Sequence, residues 1–226
     1  MDCLENEKRR VAQESLRYIK NGMVVGLGSG STAEHMIREL GKKIGKGLTI
    51  TGVASSEKTA NLAREFGIPL TRLDQVATLD INIDGADEFD PNLQLIKGGG
   101  GALLKEKILA HNSKLNVIIA DSSKKVDKLG KFKLPIEVIP FAHSGIMAQL
   151  HVQALQPVLR SVNGIAFSTD ENNFIIDIDV LAYEDLGELN IMLLKTPGIV
   201  ETGLFLDSTD ILIVGNGEET TTINKR

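Results

Sequence analysis

Four short apolar runs punctuate the first half of the chain, and each breaks off abruptly into small, hydroxylated or charged residues. Met23-Val24-Val25-Gly26-Leu27 ends at Gly28-Ser29-Gly30-Ser31-Thr32, residues 48–54 end at Ser55-Ser56, 79–83 end in a cluster of acids, and 117–120 end at Asp121-Ser122-Ser123. Continuous rather than alternating apolar residues belong to strands covered on both faces. Between the runs, apolar residues recur at helical spacing over 33–41, 56–66 and 102–110, and Val11, Leu16 and Ile19 mark an opening helix that ends at Asn21-Gly22. Strands alternating with helices predict a parallel sheet with helices on both faces. Ligands gather at the carboxyl ends of such strands, where these runs break off.

The pattern changes near Gly130. Residues 135–139 read as a strand, 144–155 as a helix, 164–168 and 174–178 as two strands around the turn-forming 169–173, 184–194 as a helix and 199–206 as a strand. Strand-helix-strand-strand-helix-strand is the order of a split βαβ unit, a small antiparallel α+β domain. Residues 211–214 supply one more apolar strand that returns to the first sheet. The expected architecture is therefore a Rossmann-like α/β domain, 1–130 and 206–226, with a ferredoxin-like α+β domain, 131–205, inserted in it.

Composition narrows the function classes. Of 226 residues, 25 are Lys or Arg and 30 are Asp or Glu, a formal net charge of −5. That balance argues against non-specific nucleic-acid binding, which needs a basic face. No apolar run approaches the roughly 20 residues that span a bilayer, and the first ten residues lack the apolar core of a signal peptide. The single cysteine, Cys3, makes no internal disulfide, so a reducing cytoplasm is the expected compartment.

Four segments carry candidate chemistry. Ser29, Gly30, Ser31 and Thr32 stand at a strand-to-helix junction, where glycine lets the backbone approach an anion and a helix start offers unpaired N–H groups. The same residues also suit a plain capped turn. Asp84-Gly85-Ala86-Asp87 follows the third strand, with small residues between two carboxylates. Those acids could bind sugar hydroxyls, hold a metal or cap a turn. The four histidines form no close ligand pair with them, so hydroxyl binding fits better than a metal. Lys97-Gly98-Gly99-Gly100-Gly101 costs much conformational entropy for a mere linker, which points to a backbone passing close to a ligand beside a fixed positive charge. Lys124 or Lys125, past the fourth strand, could complete an anion site or be an ordinary surface lysine.

Glu106 follows the glycines on a helix. At about 100° per residue it projects among Ala102, Leu103, Leu109 and Ala110, while Lys105 and Lys107 fall to either side. The competing reading is a solvated Lys-Glu-Lys face. A carboxylate pressed against apolar side chains has its charged form disfavoured, which is what a general base working near neutral pH needs.

Taken together, the segments resemble ribose-5-phosphate isomerases of the A type. Gly26-Leu27-Gly28-Ser29-Gly30-Ser31-Thr32-Ala33, Asp84-Gly85-Ala86-Asp87-Glu88, Lys97-Gly98-Gly99-Gly100 and Glu106-Lys107 are similar to four signature blocks of that family, in order. Ile119-Ala120-Asp121-Ser122-Ser123-Lys124 and the stretch 197–205 resemble further family segments, so the likeness runs from about residue 7 to 215. The resemblance implies a Rossmann-like domain with a ferredoxin-like insertion. It also implies interconversion of D-ribose 5-phosphate and D-ribulose 5-phosphate through an enediolate in the non-oxidative pentose phosphate pathway, with no cofactor and no metal.

Carried over residue by residue, it makes Glu106 the base, and Lys97 with the backbone of Gly98, Gly99 and Gly100 the stabilisers of the oxyanion. Asp84 and Asp87, with Gly85 and Ala86 between them, would hold the sugar hydroxyls and assist ring opening. Ser29, Gly30, Ser31, Thr32 and Lys124 would hold the phosphate, with Lys8 a further candidate. Partners are then a small sugar phosphate, neither nucleic acid nor membrane, and copies of the chain in a homodimer or homotetramer. Two departures stand out: Ser29 occupies a position where Thr is common, and Gly101 extends three glycines to four, which would loosen the turn. The alternative from another class is a sugar-phosphate-sensing domain without turnover. Such regulators usually add a DNA-reading helix pair, and the residues before the first strand supply only one helix. A related deaminase or lactonase would want a His beside the acids at 84–90, and none is there.

Overall fold

The computed structural model describes residues 3–225. Helix α1 (Cys3–Ser15) continues into a 3-10 turn, Leu16–Tyr18, and leads to β1 (Val24–Leu27), α2 (Ser31–Ile44), β2 (Thr51–Ala54), α3 (Glu57–Glu65) and β3 (Ile81–Gly85). Two short strands, β4 (Glu88–Phe89) and β5 (Leu95–Ile96), precede α4 (Leu103–His111) and β6 (Asn116–Ala120). Next come β7 (Leu134–Val138), α5 (His143–Val152), β8 (Val158–Leu159), β9 (Ser161–Val162), β10 (Ile165–Ala166) and β11 (Phe174–Ile178). The chain goes on through α6 (Leu186–Leu194), β12 (Ile199–Thr202), β13 (Leu204–Phe205), β14 (Ile211–Asn216) and β15 (Glu219–Asn224). It divides into two compact units: one formed by the residues to Ala86, Lys105–Lys125 and those from Asp207, the other by Asp87–Leu104 and Val126–Leu206.

The first unit is built on a six-stranded sheet in the order β15-β14-β6-β3-β1-β2, parallel except for the edge strand β15. Side chains alternate across a strand, and here the alternation is regular through four neighbours. Val25 and Leu27, Ile81 and Ile83, Val117 and Ile119, and Ile211 and Ile213 face one core, where Val11 of α1 and Met36, Ile37 and Leu40 of α2 cover them. The opposite face carries a polar row, Gly26 beside Asn82 beside Asn116. Asn82 Nδ2 donates to Asn116 Oδ1 (3.2 Å), and Asn116 Nδ2 donates to the Ala110 carbonyl of α4 (3.0 Å). Leu109 of α4 packs with Val53 and Leu79 on that side.

Helix α4 runs antiparallel to the strands. Its C-terminal end is pinned at their starting edge, where the Leu79 N–H donates to the Asn112 carbonyl (2.9 Å). Its first turn, which carries Glu106, is therefore directed toward the edge at which β1, β3 and β6 end.

The second unit contains a four-stranded antiparallel sheet in the order β12-β7-β11-β8 with α5 and α6. In chain order β7, α5, β8, β11, α6, β12 is the split βαβ sequence, its last strand lying beside its first. The second strand of that motif is β8 and not 164–168 as the sequence reading expects. Asn163 and Gly164 both take positive φ (52° and 78°), the backbone of a tight two-residue hairpin, so β9 and β10 pair with each other instead. The expected strand 199–206 is also two: β12 pairs with β7, while β13 pairs with β5 in a separate three-stranded sheet, β13-β5-β4. That small sheet is why 87–104 group with the second unit and not with 1–130. The buried Glu88 carboxylate reinforces the grouping by accepting the N–H groups of Gly130 (2.8 Å) and Phe132. Among the described residues no helix is long and apolar enough to cross a membrane.

One buried carboxylate ties the first unit's chain ends together. Glu7 of α1 accepts the Ser122 N–H after β6 and the Gly217 N–H in the β14–β15 turn, both at 2.7 Å. Burial pushes this carboxyl up, but the two N–H bonds, with the Arg10 charge nearby, outweigh it and hold it below its ordinary range. A folded-state pKa below the unfolded one contributes stability above the unfolded value, and that stability is lost as pH falls through the folded one. Urea unfolding from pH 7 down to pH 3 is expected to show a steeper loss for the wild type than for Glu7→Gln, with the two curves separating below about pH 4.5.

Candidate active site

The strand order places β1 between β2 and β3, so the connections leaving β1 and β3 diverge at a topological switch point, where a crevice opens at the carboxyl edge. Asp84, the penultimate residue of β3, lies on that edge and on the sheet face that α4 covers. Its Oδ1 accepts the N–H of Ser29 (3.0 Å) and of Gly85 (2.7 Å). The carboxylate thus reaches across to the loop after β1. The approach is so close that a Cβ on Gly28 would lie 2.1 Å from Asp84 Oδ1, which makes the glycine obligatory there.

The loop after β1 enters α2 through Gly30, at φ 94°. Gly30 and Ser31 are exposed, Ser29 is half-buried and Thr32 is buried. The exposed backbone at the start of a fourteen-residue helix suits an anion. The Ser29 hydroxyl turns elsewhere, into a cluster with Ser55 Oγ (2.7 Å), Ser56 Oγ (3.1 Å) and Thr59 Oγ1 (3.2 Å). Thr59 Oγ1 in turn donates to the Gly28 carbonyl (3.0 Å), and Ser56 caps α3 by accepting the Thr59 N–H (3.0 Å). Sequence reasoning notes Ser55 and Ser56 only as the residues at which the second apolar run ends. Their position past β2, matching that of Ser29 past β1, was the available signal.

Lys124 closes a 3-10 turn, Ser122–Lys124, at the end of β6, the strand beside β3. Asp121 caps the turn by accepting the Ser123 N–H (3.0 Å), and Glu7 holds it from α1. Lys8 instead pairs with Glu5 one turn away (2.7 Å). On α4, Glu106 is only 4% exposed and is buried along with Leu103, Leu109 and Ala110, while Lys105 and Lys107 are half-buried. The first unit thereby brings Asp84, the 28–32 loop, Lys124 and the Glu106 end of α4 to one edge of one sheet.

The remaining candidates stand on the second unit. Asp87 Oδ2 accepts the Gly99 N–H (2.7 Å). Lys97 is buried; its N–H donates to the Gly203 carbonyl (2.9 Å) and its Nζ lies over the Phe205 ring, 5.5 Å from the centroid. The glycine run is not loosened by its fourth member. Gly98 and Gly101 both take positive φ (103° and 80°), and the Gly101 N–H donates to the Gly98 carbonyl (2.9 Å), closing a tight turn. A Cβ on Gly101 would come within 2.3 Å of the Phe167 ring. Farther along, Asp90 caps its own turn by accepting the Asn92 and Gln94 N–H groups (2.9 Å each). Among the described residues no group of three or more His, Cys, Asp or Glu is placed to hold a metal ion.

Comparison with known proteins agrees with this fold. The sequence model of the family described as ribose 5-phosphate isomerase A (phosphoriboisomerase A) matches residues 51–219. A ribose-5-phosphate isomerase A from Jannaschia sp. (strain CCS1) is 45% identical over 225 residues, spanning 96% of this chain and 86% of the relative. The one from Limosilactobacillus reuteri (strain DSM 20016) is 47% identical over 213 residues, 93% of this chain and 94% of its own. A solved D-ribose-5-phosphate isomerase in complex with phospho-erythronic acid superposes with a TM-score of 0.95 at 41% identity, covering 99% of this chain and all (100%) of that one. The ribose 5-phosphate isomerase A of Methanocaldococcus jannaschii gives 0.91 at 40% identity, with 96% and 98% covered. Sequence and fold together, over nearly the whole length, place the chain in the ribose-5-phosphate isomerase A family.

Proposed function

We propose that Glu106 is the base that moves a proton between C2 and C1 of an open-chain sugar phosphate. Family membership gives the overall reaction: the chain interconverts D-ribose 5-phosphate and D-ribulose 5-phosphate, a step of the pentose phosphate pathway. A sensing domain without turnover is not favoured by such close likeness to isomerases. In the forward direction the Glu106 carboxylate takes the C2 proton. The C2–H electron pair becomes the C1=C2 bond, and the carbonyl π pair moves onto O1. A proton passes from O2 to O1, Glu106 returns its proton to C1, and C2 becomes the ketone, so nothing is consumed and no cofactor is needed.

The observation that carries this reading is the burial of Glu106 on the α4 face of the sheet, directed toward the edge at which Asp84 stands one residue before the end of β3. Water excluded from a carboxylate strengthens every electrostatic interaction it makes. Lys97 and the 98–100 backbone, apart from the Gly99 N–H that Asp87 engages, supply the donors for the charge that develops on O1, a role in which preorganised groups contribute most. Asp84 and Asp87 accept from sugar hydroxyls and assist ring opening. The phosphate anchors to the exposed backbone of Gly30 and Ser31 and to Lys124, while Ser29, engaged with Ser55, Ser56 and Thr59, shapes the loop. Anchoring the far end of the substrate fixes C1 and C2 against the base. Phospho-erythronic acid, held by one relative, supports the reading, because its carboxylate puts a planar, negatively charged group at the end of the chain opposite the phosphate, the end at which the planar, negatively charged enediolate forms. We further propose a cytoplasmic homodimer or homotetramer, with the Rossmann-like unit supplying the base.

Ketose formation from ribose 5-phosphate, followed in excess chelator, tests the base and the cofactor together. Wild type is expected to turn over undiminished, and Glu106→Gln to lose about 10²-fold or more in kcat with an unchanged unfolding midpoint. Near-normal turnover by Glu106→Gln would remove it from the role, and loss of wild-type activity restored by Mg²⁺ would call for a metal. Lys124→Ala is expected to raise KM for the phosphorylated sugar roughly tenfold or more, the scale of one lost charge-assisted contact. An unchanged KM would take Lys124 out of the phosphate site.

A further inference from the structure

One charged assembly in the second unit has no part in the chemistry so far. Arg160 forms a two-pronged ion pair with Asp177: Nε donates to Oδ2 at 2.9 Å and Nη2 donates to Oδ1. Both side chains are largely buried, 15% and 19% exposed. Asp177 sits in β11, paired on both sides within the four-stranded sheet, and the Arg160 N–H donates to the Ile175 carbonyl of the same strand (2.8 Å). The guanidinium is thus fixed to a strand that is paired on both sides within the sheet. Its remaining nitrogen, Nη1, donates to two successive carbonyls of the glycine turn, Gly98 O at 2.9 Å and Gly99 O at 3.1 Å.

Those two bonds orient the turn. In a trans peptide the C=O and the following N–H point in opposite directions. Holding the carbonyls of Gly98 and Gly99 on Arg160 therefore turns the N–H groups of Gly99 and Gly100 away from it. The Gly99 N–H meets Asp87 Oδ2 on that far side (2.7 Å). Gly100 is exposed there. Phe167 completes the support. Its N–H donates to the Arg160 carbonyl (2.9 Å), its ring lies 5.9 Å from the guanidinium carbon, and the same ring abuts Gly101. Four consecutive glycines would otherwise sample a wide range of conformations, and a donor that must be ordered during the reaction stabilises the transition state less.

We propose that Arg160 is a positioning residue for the isomerisation, holding the 98–101 turn so that the Gly100 N–H faces the developing oxyanion, with Asp177 and Phe167 fixing Arg160 in turn. The inference rests on the reading of this turn as the oxyanion donor. Removing the tether should weaken binding of the charged, enediolate-like state and leave ground-state binding of the sugar phosphate, anchored elsewhere, nearly intact.

Arg160→Met alone strands a buried carboxylate and could fail to fold, so it is paired with the double variant Arg160→Met/Asp177→Leu, which removes both charges. The measurements are kcat and KM for ribose 5-phosphate and the Kd of phospho-erythronic acid by titration calorimetry. The expected result for the folded double variant is a fall in kcat of about 10- to 100-fold, KM within about twofold, and a Kd for phospho-erythronic acid weakened in step with kcat/KM. Arg160→Lys, which keeps a charge but not the fork, should fall between. A folded double variant with kcat and inhibitor Kd within threefold of wild type would overturn the role of Arg160 alone. Wild type that turns over yet binds phospho-erythronic acid no tighter than its KM for substrate would overturn the oxyanion reading of the turn, and this inference with it.

Discussion

The carboxylate of Asp84 is the point on which the first unit's functional edge depends. A parallel sheet whose order turns at β1 and β3 sends its two connections apart, and something must hold the backbone at the opening between them. Asp84 does so by accepting the N–H of Ser29 from the neighbouring loop and that of Gly85 from its own. A buried carboxylate is costly unless hydrogen-bonded, so the two donors stabilise the charge while the charge fixes the loop. Gly28 is the other half of the arrangement, because any side chain there would occupy the space of the carboxylate. The geometry of the loop after β1 and the placement of an acid near it are one constraint.

The polar row beneath Asp84 extends that constraint to Glu106. Asn82 and Asn116 stand on the same face, and the second of them grips the Ala110 carbonyl near the end of α4. Buried amides of this kind specify position more than they add stability, since each must find its partner or lose the full cost of desolvation. The helix is thereby set in register along the sheet. With its C-terminal end held at the strand beginnings, the Glu106 turn goes to the strand ends. Hydroxyl groups just past β2 and on α3 then hold the loop after β1 from the other side.

Much of this was legible in the chain. Apolar runs, helical spacing and glycine or serine breaks are local signals, and they located β1, β2, β3, β6, α2, α3 and α4 to within a few residues. The buried side of Glu106 was also legible, because helical projection needs only its neighbours Leu103, Leu109 and Ala110. Other elements could not be read locally. β4, β5 and β13 are two residues each and exist only through pairing with one another, so no periodicity can announce them. The β9–β10 hairpin had a local mark in Asn163-Gly164, which the reading passed over in favour of the larger turn at 169–173. Gly101, expected to loosen the glycine turn, in fact closes it, because the Phe167 ring that requires a glycine there is 66 residues away along the chain.

The sequence by itself determined the alternating α/β architecture, the acidic balance that disfavours nucleic acid, and the residue types at each strand end, since these follow from composition and short-range pattern. It also carried a family resemblance specific enough to imply the reaction. Tertiary structure alone decided which carboxylate is bound to which loop, that Glu7 joins three distant segments, that residues 87–104 pair with the second unit, and that Arg160 and Asp177 hold the glycine turn. The physical reason is the range of the interaction. Propensity and periodicity act over a few residues, whereas a hydrogen bond between a β3 carboxylate and a β1 loop, or between a guanidinium and carbonyls some sixty residues away, exists only once the chain has folded.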